Sequence, residues 1–161
     1  MFTESKTCYI KADVALDLGC GNGLYTFPLT QYYKTIYGVD QSSYMIVDAI
    51  LHNTSNKIKF KQGNFSEIPL SVGAVDIVFM SNAWHFIKDF EVVLEEIKRV
   101  CPNGYLIINE PGIRSKFTFN DTYSLLKKIG ELDIAKKYVT EIAEKIIPKS
   151  DNQGYWALVK L

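Results

Sequence analysis

The sequence predicts an α/β fold, and three observations carry that prediction. Val14, Ala15, Leu16 and Leu18 form the short apolar run expected of a strand buried on both faces. Gly19, Gly21 and Gly23 follow at alternate positions, and apolar residues at helical spacing come directly after them. The succession of apolar strand, loop and helical stripe then repeats along the chain to about residue 110.

The first unit, V-A-L-D-L-G-C-G-N-G over residues 14–23, is the most informative. Its glycines permit positive φ and remove the Cβ atoms that would keep a ligand away from the main chain. The spacing predicts a helix over 24–33 with its positive end aimed at the same spot, so the unit reads as a site for a ligand carrying a carboxylate or phosphate. In the dinucleotide fingerprint GxGxxG, counted from Gly19, the third glycine would fall on Leu24. Here it falls on Gly23, which disfavours a pyrophosphate binder and with it a nucleotide-linked oxidoreductase. Asp17, two residues before Gly19, would also repel a pyrophosphate while suiting a ligand with an ammonium group. The alternative is that the glycines form nothing more than a tight turn.

The stretch resembles motif I of the class I S-adenosylmethionine-dependent methyltransferases, and later segments extend the resemblance. Thr35–Val39 reads as the second strand, ending in Asp40 about twenty residues beyond the loop, where a carboxylate can accept hydrogen bonds from both hydroxyls of a ribose. Asp40 is equally placed to open a helix, because Ser42 is a good N-cap. The run G-V-D-Q-S, with Met45 and Ala49 after it, looks like motif II of the same enzymes. Ile58, Phe60 and Gln62 alternate as a third strand. Asn64 then stands where similar proteins usually have Asp as acceptor for the adenine amino group, with Phe65 beside the ring. A turn Asn beside a core Phe is the competing account.

Val75–Ser81 reads as the central fourth strand. The S-N-A-W-H-F segment that closes it, residues 81–86, is similar to the family's S-N-A-L-H-H. Asp89 caps a helix whose apolar stripe is Phe90, Val93, Leu94, Ile97 and Val100. Tyr105–Asn109 is the fifth strand, finishing in Glu110-Pro111-Gly112. Beyond it, Asn120 or Asp121 is placed to cap a helix through Leu125, Leu126 and Ile129, and Gly154–Leu161 alternates as a terminal strand. Residues 135–148 suit a helix or a sixth strand.

The resemblance covers about residues 14 to 112. It implies a doubly wound, mainly parallel Rossmann-like sheet with an antiparallel C-terminal strand and the ligand across the carboxyl ends of the central strands. It further implies S-adenosyl-L-methionine as cofactor, held by Asp17, Gly19, Cys20, Gly21, Asp40, Gln41, Asn64, Phe65 and Ser81. His85 stands near the expected site, either as the base for a nucleophilic acceptor or as a packing residue beside the methionine end. The sequences that mark amide, adenine-amino and cytosine methylation are missing, and the resemblance is to the branch of the family with a small-molecule methyl acceptor.

Composition is consistent with that partner. Eighteen basic and eighteen acidic residues cancel in a chain of 161, with no long run of either sign, so neither a nucleic-acid groove nor a membrane-seeking face is expected. Cys8, Cys20 and Cys101 lack metal-ligand spacing; no metal site is expected, and Cys20 should pack as a small apolar residue. Without a signal-peptide pattern or a membrane-length apolar run, the expected location is cytoplasmic. A single domain over 1–161 with a short N-terminal arm, residues 1–11, is expected. That arm offers little to cover an active site, so a cofactor-binding module or a subunit dependent on a protein partner or self-association is the alternative to an independent methyltransferase.

Overall fold

In the computed structural model, residues 12–110, 119–138 and 154–161 are described. They form a seven-stranded sheet in the order β3-β2-β1-β4-β5-β7-β6. The strands are β1 (Val14–Leu18), β2 (Thr35–Asp40), β3 (Ile58–Gln62), β4 (Ile77–Ser81), β5 (Tyr105–Glu110), β6 (Glu131–Tyr138) and β7 (Gly154–Lys160). The first five pair in parallel, and β7 lies antiparallel between β5 and β6. The α helices among the described residues are α1 (Ser43–His52), α2 (Phe90–Val100) and α3 (Phe119–Ile129). From β1 the chain moves outward through β2 to β3, then returns to place β4 on the other side of β1. Strand order therefore reverses between β1 and β4, the point at which sheets of this type open a ligand crevice at their carboxyl ends.

Both faces of the central strands are buried, which is why these strands lack polar alternation. Leu16, Leu18, Val78, Met80, Leu106 and Ile108 meet Val93, Leu94, Ile97 and Val100 of α2 on one face. Ala15, Ile36, Ile77, Phe79 and Ile107 pack with Tyr33 on the other. Each fully buried aliphatic side chain of this kind contributes about 1.5–3 kcal/mol. Two of the predicted caps form. Ser42 accepts from the Met45 N–H, and the Asp89 carboxylate accepts from the N–H groups of Glu91 and Val92.

The helix expected over 24–33 is replaced by a single 3-10 turn, Phe27–Gln31. Gly23 leaves helical backbone with φ of 91°. Pro28 has no N–H to donate, and the turn closes through bonds such as Leu29 N–H to Thr26 O at 3.1 Å and Tyr32 N–H to Leu29 O at 2.9 Å. Leu24 and Tyr32, two of the apolar residues at helical spacing in this stretch, are 69% and 63% exposed. A turn this short presents no helix dipole, so no helix N-terminus faces the loop to hold an anion. Strand β4 begins at Ile77 rather than Val75, whose N–H instead donates to Val100 O at the end of α2. Asn120 and Asp121 lie inside α3. A sixth strand exists but starts at Glu131; residues 139–148 of the segment left open by the sequence, like residues 1–11, lie outside the described residues.

Candidate functional site

The glycine loop leaves the carboxyl end of β1 at the reversal of strand order. Gly19, Gly21 and Gly23 all have positive φ, at 83°, 53° and 91°. Gly19 is required by contact as well, because a Cβ there would come within 2.6 Å of Ala83 Cβ and 3.2 Å of the Phe65 ring. At Gly21 a Cβ would meet nothing within 4 Å, so this glycine borders open space. Several loop amides that the sequence left free are engaged. Gly19 and Cys20 N–H both donate to Val39 O, at 2.7 and 3.1 Å, and Gly23 N–H donates to Cys20 O. Cys20 is buried and packs as the sequence suggested, its thiol pushed well up by burial first and the nearby Asp17 and Asp40 charges next.

Asp40 closes the loop from the neighbouring strand. Its Oδ2 accepts from Gly21 N–H and its Oδ1 from Ser42 N–H, both at 2.9 Å. The sequence posed ribose binding and helix entry as alternatives; the carboxylate joins the helix entry to the glycine loop, and each oxygen keeps a further lone pair. Gln41 follows at the surface, its carbonyl accepting from Gln62 Nε2.

Asp17 lies 1% exposed beneath the loop, and its Oδ2 accepts from the Thr26 hydroxyl at 2.6 Å. Burial raises its pKa to about 6; the Thr26 bond opposes the rise and the Asp40 charge adds to it. It is thus a carboxyl with one hydrogen-bond partner among the described residues, whose ionised form gains from any cation brought close.

The loop after β3 supplies Asn64 and Phe65. Asn64 is exposed and its carbonyl accepts from Glu67 N–H, while half-buried Phe65 packs toward Gly19. Farther along, this loop is tied to α2. Arg99 forks onto Glu96 at 2.6 and 2.8 Å and donates to the carbonyls of Leu70 and Ile68 at 2.8 and 2.9 Å. Glu96 in turn accepts from Ile68 N–H at 2.8 Å. This clamp borders an open cleft of about 590 Å³ lined by Asn64, Glu67, Ile68, Pro69 and others, which lies to the side of the glycine loop.

At the end of β4, Ser81 is buried and Asn82 takes a left-handed φ of 54°, its N–H donating to Asn109 O on β5. That turn directs Ala83 against Gly19 and starts a 3-10 turn, Trp84–Phe86. Trp84 is buried and donates to Thr122 Oγ1 of α3 at 3.2 Å; Thr122 also meets the Tyr155 hydroxyl of β7 at 2.8 Å. The His85 side chain is 6% exposed, with Nδ1 2.8 Å from Glu110 Oε1 at the end of β5. Its Nε2 is buried without a hydrogen-bond partner among the described residues. Burial holds the Glu110 carboxyl above its ordinary pKa, and His85 opposes the rise.

A family model described as a methyltransferase domain matches residues 16–108, more than half of the chain. The chain belongs to the methyltransferase domain family. The demethylmenaquinone methyltransferase of Lactococcus lactis is 32% identical to it over 148 residues, covering 88% of this chain and 55% of that protein. A SAM-dependent methyltransferase structure from Methanosarcina mazei superposes with a TM-score of 0.74 at 19% identity, covering 94% of each chain. Another, from Aquifex aeolicus, gives 0.71 at 20% identity over 91% of this chain and 81% of that one. The chain spans little more than half the length of the curated relatives it matches.

This methyltransferase domain thus brings Asp17, Gly19, Gly21, Asp40, Phe65 and the β4 loop together, and it leaves Gln41 and Asn64 at the surface. Two partners escaped the sequence. Thr26 gives no signal, since its role depends on Asp17 nine residues earlier. Glu110 does leave one: an acid ending a largely apolar strand is costly to bury without a partner. Among the described residues no helix is long and apolar enough to cross a membrane, and no three His, Cys, Asp or Glu side chains cluster as metal ligands.

Proposed function

We propose that this domain binds S-adenosyl-L-methionine and transfers its methyl group to a small-molecule acceptor. The observation that carries the proposal is convergence. The β2 end through Asp40, the β3 loop through Phe65 and the β4 loop through Ala83 all meet the glycine loop, beside the open space at Gly21. A bound sulfonium supplies a methyl group already activated for displacement, so that alignment of the acceptor can provide most of the acceleration. The residues fit such a ligand. Asp17 is an acid that favours an ammonium group, Asp40 has lone pairs left for ribose hydroxyls, and Phe65 is a flat apolar wall for a base. Gln41, Asn64 and Ser81 are assigned to the rim and floor of the same site, and the acceptor is placed toward the β4 loop.

The relative that acts on demethylmenaquinone supports a reduced quinone as the first acceptor to test. Titration with S-adenosylhomocysteine should show binding and stabilise the fold by about 2.7 kcal/mol at a hundredfold excess over Kd. NAD should do neither. Absence of any S-adenosylhomocysteine binding by calorimetry and thermal melting would refute the cofactor assignment; binding without methylation of a demethylmenaquinol or other phenolic and acidic acceptors would favour a binding module.

A further inference from the structure

We infer that Glu110 is a positioning residue which fixes the tautomer of His85, presenting Nε2 as the proton acceptor for the methyl acceptor. The inference rests on the methyltransferase reading and adds a residue and an atom to it. His85 and Glu110 come from the ends of adjacent strands: Ser81 of β4 pairs with Asn109 of β5, which places Glu110 level with the loop that carries the histidine. The bond joining them is 2.8 Å long. Glu110 is fully buried and the His85 side chain nearly so, which keeps the contact from being dissolved by water.

A neutral imidazole has one donor and one acceptor nitrogen. With Nδ1–H donating to the carboxylate, the lone pair is on Nε2, the nitrogen left without a partner among the described residues. A packing histidine gains by satisfying both nitrogens, whereas leaving one buried and unmatched costs free energy and is expected where a reacting group must be met. The orientation is held from outside as well. Trp84, the preceding residue, is fastened to Thr122, and the Phe86 ring lies 4.0 Å from the imidazole, centroid to centroid.

The chemistry suits an acceptor whose nucleophile carries an acidic hydrogen, such as a phenol or the hydroxyl of a reduced quinone. Its O–H proton passes to Nε2 while the freed electron pair, on oxygen or on a conjugated carbon, forms the new bond to the methyl carbon. The pair of the broken carbon–sulfur bond stays on sulfur, which becomes a neutral thioether. Glu110 retains its negative charge and stabilises the imidazolium so formed.

The test begins with the wild-type chain. It contains two histidines, so ¹⁵N-labelled protein with His52→Gln as the assignment control gives a simple spectrum. The neutral His85 ring should carry its proton on Nδ1, with Nε2 unprotonated; a proton on Nε2 overturns the inference with no variant needed. In Glu110→Gln, kcat on demethylmenaquinol should fall on the order of 100-fold, the size of a lost base contribution, with S-adenosylhomocysteine affinity unchanged. An unchanged kcat would also overturn it. If wild-type protein binds no S-adenosylhomocysteine, the cofactor reading itself fails, and that result is distinct from a wrong tautomer measured in the same sample.

Discussion

Replacing Asp17 by Asn should uncouple the stability of this domain from pH in a defined window. Raising a carboxyl from 3.8 to about 6 corresponds to about 3 kcal/mol of bias toward its protonated form, at about 1.4 kcal/mol per pH unit. Asp17 is only 1% exposed, so solvent does not screen this away. The unfolded chain releases the proton above pH 3.8, whereas the native chain keeps it until about 6. In that window the folded state binds more protons, and its stability therefore falls as pH rises. The contribution is fully present below 3.8 and lost above about 6. Asparagine keeps an oxygen for the Thr26 hydroxyl but brings a buried NH₂, which costs about 1–3 kcal/mol if unmatched. The absolute stability of the variant at pH 7.5 is thus within about 2 kcal/mol of wild type. The decisive quantity is the change in the difference between the two proteins. From pH 3.5 to 7.5 it should move by about 3 kcal/mol in favour of the variant. Urea denaturation followed by tryptophan fluorescence, which reports the buried Trp84, measures it at each pH. Parallel stability curves for the two proteins would refute the buried-carboxyl argument.

Other outcomes follow from the same geometry. A cofactor that places an ammonium beside Asp17 should drive off its proton: binding should tighten as pH rises toward about 6 and level off above it. Calorimetry at pH 5 in buffers of different ionisation enthalpy should detect the released proton, and a buffer-independent heat would contradict it. Asp40→Ala removes two charge-assisted bonds, to Gly21 and Ser42, and should cost about 1.5–3 kcal/mol of stability for each while weakening S-adenosylhomocysteine. A thermal melt and a titration separate these effects, and a stable variant with full affinity would show that Asp40 holds neither loop nor ligand. Arg99→Ala unfastens the loop after β3 from α2; amide exchange at Ile68 and Leu70 should accelerate while the β4 and β5 amides stay protected, and unchanged exchange would deny the clamp its role.

The sheet was legible because its central strands are apolar on both faces, a pattern independent of distant partners: Ile77, Val78, Phe79 and Met80 are buried whichever way they point. The caps Ser42 and Asp89 were legible because they act on residues two or three positions away. The helix over 24–33 was misread for the complementary reason. Its apolar spacing is helical, but backbone geometry at Gly23 and the missing donor at Pro28 decide the local fold, and Thr26 is drawn inward to Asp17. Of the site, Asp17, Gly19, Gly21, Asp40 and His85 could be placed from motif spacing. Their partners could not, since the bond from His85 to Glu110 spans 25 residues and that from Trp84 to Thr122 spans 38.

That difference alters how ligand recognition at the loop should be understood. A glycine loop inferred from sequence suggests bare amides waiting for an anion. Here Gly19, Cys20, Gly21 and Gly23 donate to Val39, Asp40 and the loop itself, so these amides hold the loop in shape rather than the ligand. The groups left to meet a ligand are carboxylates with spare lone pairs and the open face of Gly21, a set suited to hydroxyls and an ammonium and repellent to phosphate. A pyrophosphate, disfavoured in the sequence by the position of one glycine and by Asp17, is further repelled by Asp40, whose carboxylate closes the loop at Gly21. A loop already closed by its own hydrogen bonds also has little conformational freedom left to lose on binding, so affinity should respond more to these two acids than to the ordering of the loop.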